Sequence, residues 1–371
     1  MIDYPYIILL LVLFILLKNN NIRSFYFASW IIFIFIACRA PVVGADTLDY
    51  VNFFTGKTAQ YNNDQREIEP FLLIYNNILN SFTKNGVIYL IINTIFTLFP
   101  IYLLIKRYSS NKLLSYILFF ILGIYTTYFV ALRQIISISF ILMGILFCLN
   151  ENNSKISKCL IWIITTILAY MTHTTALIIS LIFILIYFIK TPSKTITAIT
   201  IITSFTIGYF LGADFYIKLF SIVLSVEVSA IERIYFYLDS DLSYNNISVI
   251  TILLPNIIAL LYIKYTNTDK LNTFISKTYI LSVIANNIFI FFVFAQRLII
   301  PFQLFSIIAL THPLVHKNNK YYKLSIIIFV ALFSFRYIKS NINPDLSDLG
   351  RLHPYYFFFE NYNNHPSLKN F

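Results

Sequence analysis

Apolar runs of 14 to 19 residues, parted by short polar junctions, recur along the whole chain. They fall near residues 4–18, 24–40, 87–105, 113–131, 134–150, 159–172, 174–189, 195–212, 247–263, 278–295, 298–311 and 324–338. Crossing a hydrocarbon core takes about 20 mostly apolar helical residues, with a range of about 17–25. The pattern therefore predicts an all-α, polytopic integral membrane protein with about twelve transmembrane helices, several of them short. The pair across 278–311 also fits one broken unit. A β-barrel is disfavoured, because the runs lack the strict alternation of polar and apolar positions that barrel strands need.

Charge in the junctions orients these runs. Alternate junctions (residues 18–23, 106–112, 150–158, 190–194, 264–277 and 312–323) hold fifteen of the twenty-seven Lys and Arg residues, opposed only by Glu151 and Asp269. Cytoplasmic loops carry an excess of Lys and Arg, so these six are expected in the cytoplasm and both termini outside it. The opposite junctions hold the other fourteen of sixteen carboxylates. They include three longer segments: about 40–86, about 213–246, and a tail from about 339. Residues 1–371 are expected to form a single integral membrane domain. Within its first outer loop, residues 66–82 set apolar side chains at helical spacing. That predicts a short interfacial or re-entrant helix with Pro70 in its first turn. Residues 213–246 place Glu227, Glu232, Arg233, Asp239 and Asp241 among aromatics. A lid over a membrane-edge cavity and a plain solvated loop fit that segment equally well.

Composition agrees and narrows the function classes. The chain is 58% hydrophobic and 12% charged, with mean hydropathy +0.76, against roughly 25% charged residues in a soluble domain. Its net charge of +11 reflects cytoplasmic lysines rather than nucleic-acid binding. Cys38, Cys148 and Cys159 have neither paired nor metal-ligand spacing and read as packing residues. The first apolar run lacks a basic leader and a small-residue cleavage site, so it is expected to stay as a helix. No Walker loop, Asp-x-Asp element, dinucleotide fingerprint or His-Glu-x-x-His appears. No metal or cofactor is expected, and ATP-driven transport is disfavoured.

Ionisable residues at the outer ends of the runs are the candidate chemistry. Arg39, Arg133 and Arg297 each end or separate apolar runs on that side. Each could be a snorkelling anchor; together they could neutralise a diphosphate arriving from the bilayer, which a guanidinium matches bidentately. Asp46 and Glu69 flank apolar stretches that hold them near the membrane surface, where a carboxylate can abstract a proton or hydrogen-bond a sugar. His173, in the turn between two runs, is either a hydrogen-bonded packing residue or a general base. Tyr50 belongs to an aromatic belt or stacks on a sugar face.

At these residues the chain resembles the EpsG family of Wzy-type polysaccharide polymerases. The shared pattern reads Arg39, Val43-Gly44-Ala45-Asp46-Thr47 and Tyr50, then Glu69-Pro70-Phe71, Arg133-Gln134, His173-Thr174-Thr175-Ala176 and the late Arg297. It departs at Ala40, where the family often has Gly. The resemblance implies a membrane glycosyltransferase similar to the multi-span lipid-dependent (GT-C-like) enzymes. Such an enzyme joins undecaprenyl-diphosphate-linked oligosaccharide repeat units, as donor and acceptor, at the outer face of the bacterial inner membrane. It further implies His173, Glu69 or Asp46 as catalytic groups, Arg39, Arg133, Arg297, Thr47, Tyr50 and Gln134 as substrate contacts, and a chain-length regulator as a possible partner. A flippase for the same lipid-linked sugars is the rival from another class. An O-antigen ligase is the third reading, disfavoured by the evenly sized outer segments.

Overall fold

Asparagine and serine in the polar junctions cap the helices they separate. Asn21 Oδ1 accepts from Ser24 N, Asn85 Oδ1 from Val87 N, Asn111 Oδ1 from Leu114 N, and Ser154 Oγ from Ser157 N. Each satisfies a backbone N–H that the first helical turn leaves without a partner. The hydropathy breaks and the helix starts therefore coincide.

The computed structural model describes residues 2–57, 69–223, 249–290, 293–315, 319–344 and 351–361, without side chains over 211–223, 249–251, 293–297 and at 315. The outer segment expected over 213–246 lies largely outside the described residues. Among those described, the structure is helical, and the one isolated β-bridge pairs Arg39 with Phe357. The chain divides into two compact units, Met1–Leu181 with Val330–Phe371, and Ile182–Phe329.

The first unit contains α1 (Tyr4–Asn19), α2 (Ile22–Ala37), α3 (Thr47–Thr55), α4 (Pro70–Asn80), α5 (Gly86–Tyr108), α6 (Lys112–Ile121), α7 (Thr127–Val130), α8 (Leu132–Cys148) and α9 (Lys155–Thr172). The predicted short helix is α4, and Pro70 opens it. The run at 113–131 is not one straight span. It bends by 69° between α6 and the segment Ile124–Val130. Gly123 lies at the break with φ +72, where a glycine adopts the left-handed conformation without a Cβ penalty. Large apolar side chains on α9, among them Ile163, Ile164 and Ile167, are about half exposed. Such a face suits lipid rather than water.

The C-terminal tail packs onto this unit. Tyr355 N and His353 Nδ1 meet Asp3 Oδ2 at 2.9 and 2.7 Å, and Tyr6 donates to Leu352 O at 2.9 Å. Tyr355 donates to Phe35 O and stacks on the Phe35 ring with centroids 4.6 Å apart. The tail continues along the end of α2, where Ala40 N bonds Tyr356 O and Phe358 N bonds Cys38 O. The start of α1, the end of α2 and the tail thus share one end of the first unit.

The second unit includes α10 from Ile182 onward (Ala176–Phe188 in full), α11 (Lys194–Val223), α12 (Val249–Tyr265), α13 (Thr268–Leu271), α14 (Phe274–Ile288), α15 (Val293–Gln303) and α16 (Ser306–Ala309), and ends in the first part of α17 (Lys320–Ile342). Its core is tied by side-chain amides: Asn256 and Asn287 exchange hydrogen bonds of 2.8 and 2.7 Å, and Asn287 also donates to Ser204. Amide pairs of this kind hold apolar helices together where packing alone gives little specificity.

Among the described residues the twelve expected runs lie mainly on helix, but length and composition qualify only three helices as spans: Gly86–Tyr108, Lys155–Thr172 and Lys320–Ile342. The bent pair brings that to four, and six more apolar helices are shorter. The apolar helices are those of a membrane protein.

Candidate functional site

Four elements deliver side chains to one place in the first unit. Glu69 precedes α4 in extended backbone (φ −58, ψ 138), the conformation favoured before proline. Its carboxylate does not cap α4. Instead Arg133, in the first turn of α8, donates Nη1 to both carboxylate oxygens at 2.7 and 2.8 Å. Tyr50, from α3, lies under the Arg133 guanidinium with Cζ 5.8 Å from its ring centroid, within cation–π range. His173 ends α9 and turns Nδ1 toward Glu69 Oε1 at 4.0 Å, an ion-pair separation rather than a hydrogen bond. The three ionisable side chains are neither buried nor bare: 26% of Arg133, 28% of His173 and 15% of Glu69 are exposed.

Burial alone would raise the Glu69 carboxyl pKa, but the neighbouring His173 and Arg133 outweigh it. The group is held below the usual carboxylate range near 4.5. A carboxylate so stabilised is a weak base and a firm orienting group. With Nδ1 facing it, Nε2 is the nitrogen on the far side of the His173 ring.

Arg39 and Thr47 lie elsewhere, in a buried knot. Both side chains are 1% exposed. Arg39 donates Nη1 to Ile36 O and Nη2 to Tyr128 O at 3.0 Å, and stacks over Phe129 at 4.8 Å. Thr47 donates to Phe129 O at 2.9 Å. The arginine expected to meet diphosphate instead holds backbone carbonyls, because a cation enclosed at a helix end must satisfy its donors internally. Gln134, expected as a substrate contact, is 4% exposed. Asp46 is half-buried at the start of α3. Arg297 belongs to α15 in the second unit, and its side chain lies outside the described residues.

The tie of Asp3 to His353 and Tyr355 was not foreseen. A lone acid before Tyr4-Pro5 and a histidine in a polar tail, 350 positions apart, carry no pairing signal. Among the described residues no group of three His, Cys, Asp or Glu side chains could hold a metal ion.

No curated protein and no solved structure matches the chain. The family model described as EpsG family matches residues 22–357. That match spans α2, the knot, the Glu69–Arg133–His173 cluster and the tail as far as the bridge at Phe357, and the chain belongs to the EpsG family.

Proposed function

We propose that this protein is a polysaccharide polymerase that joins undecaprenyl-diphosphate-linked oligosaccharide repeat units at the outer face of a bacterial inner membrane. Family membership supports a polymerase-type membrane glycosyltransferase. The observation that carries the finer reading is the Arg133–Glu69–His173 cluster, which joins a cation for phosphate to an oriented imidazole. Twelve spans, a GT-C-like arrangement and an outward-facing site belong to this proposal.

In this reading the acceptor sugar hydroxyl attacks the anomeric carbon of the donor repeat. His173 Nε2 takes the hydroxyl proton as the new C–O bond forms. The bond between the anomeric carbon and the diphosphate breaks, and undecaprenyl diphosphate leaves with the electron pair. Arg133 stabilises the negative charge that develops on the leaving group. Glu69 orients Arg133 and His173, since its lowered pKa makes it the poorer base. Asp46 faces the sugars by hydrogen bonding, and Tyr50, which is buried, backs the Arg133 guanidinium.

Deleting the protein in its host and sizing the exported glycan tests the reading. The expected result is single repeat units on the lipid acceptor in place of long chains. Loss of all exported glycan would instead identify a flippase.

A further inference from the structure

The four-residue helix α7 ends in carbonyls that have no place in a helical ladder. Tyr128 O and Phe129 O belong to its last turn, where helix carbonyls lack intrahelical donors. Both are buried, and both receive side-chain donors from the first outer loop: Arg39 Nη2 at 3.0 Å and Thr47 Oγ1 at 2.9 Å. Arg39 Nη2 also reaches Thr47 Oγ1 at 3.4 Å, linking the two donors. Gly44 closes the knot. Its φ is +103, and a Cβ there would stand 2.1 Å from Phe129 O. Its N–H bonds Arg351 O at 2.8 Å, which brings the tail into the same knot. Four positions after Phe129 comes Arg133, the cation of the cluster.

We propose that Arg39 is a positioning residue: with Thr47 and Gly44 it fixes the carbonyls of Tyr128 and Phe129, and so sets where α8 begins and where Arg133 meets Glu69. This rests on the polymerase reading for its effect on activity. A direct contact of Arg39 with diphosphate is the competing idea. Its Nε lacks a hydrogen-bond partner among the described residues, but a side chain 1% exposed offers a phosphate no approach. Lysine cannot reproduce the knot, because one ammonium replaces a planar fork that reaches Ile36 O, Thr47 and Tyr128 O together.

A double-mutant cycle in the full-length membrane protein decides the matter, with lengthening of undecaprenyl-diphosphate-linked repeats as the readout. Arg39→Lys is expected to reduce chain extension about tenfold in the wild-type background, and by less than about twofold when Arg133→Lys is already present, the signature of residues acting as a unit. Equal reductions in both backgrounds would overturn the proposal, since an independent substrate contact or general loss of folded protein multiplies through. A second readout needs no activity. In a Cys38→Ala, Cys148→Ala, Cys159→Ala background carrying Arg133→Cys, reaction with a membrane-impermeant maleimide is followed with and without Arg39→Lys. Positioning predicts a labelling rate changed by about twofold or more; an unchanged rate contradicts it. If the wild type extends no lipid-linked repeats, the polymerase reading fails while the labelling result still decides the role of Arg39.

Discussion

Glu69 is the residue on which the cluster turns. Its folded pKa is depressed, so the stability it contributes is present above the ordinary carboxylate range and lost as pH falls through the folded value. The difference in thermal stability between wild type and Glu69→Gln should therefore be constant from neutral pH to about 5 and vanish below the usual carboxylate range. Melting the purified protein across that pH range checks this. Arg133→Ala removes the bidentate partner of a mostly enclosed carboxylate, and should cost about 1–3 kcal/mol of stability as well as chain extension. The residues of the cluster were legible in the sequence because ionisable groups at membrane edges stand out against apolar runs. Their pairing was not. Glu69, Arg133 and His173 are separated by 64 and 40 positions, and only the tertiary arrangement of α4, α8 and α9 brings them together. Arg39 shows the opposite failure: its position suggested a binding cation, and nothing in the order of residues announces that its two Nη groups reach the carbonyls of Ile36 and Tyr128.

Among the elements, the segment that joins α2 to α3 is tightly constrained by geometry. Gly44 combines a left-handed backbone with contact against Phe129 O, so Gly44→Ala should destabilise the protein by about 2 kcal/mol or more. Thermal melting in detergent measures this, and a loss below about 0.5 kcal/mol would mean that the loop relaxes around the new methyl. The short helix α4 was readable from Pro70 and the spacing of its apolar residues. The 69° bend at Gly123 was not, since hydropathy registers the total apolar content of 113–131 and is blind to direction. A single glycine within an apolar run permits a break but does not demand one.

At the scale of the molecule, the tail acts as a strap. It joins Asp3, the end of α2 and Gly44 through backbone and side-chain bonds. Asp3→Ala would leave the buried Tyr355 N and the largely enclosed His353 Nδ1 without their acceptor, at a cost of about 1–3 kcal/mol. A protein whose melting is unaffected by Asp3→Ala would show that the strap is not tied there. The helical class of the described residues followed from hydropathy, whereas the strap depends on contacts some 350 residues apart that local pattern cannot encode.

We place Arg133, Glu69 and His173 at the centre of a lipid-linked oligosaccharide polymerase, the reading proposed above. The most direct measurement reconstitutes the purified protein in bilayers with undecaprenyl-diphosphate-linked repeat units and resolves product length. Wild type should yield a ladder of lengthened chains, while Arg133→Ala and His173→Ala, folded and present in equal amount, should leave single repeats. Ladders of normal length from both variants would contradict the account.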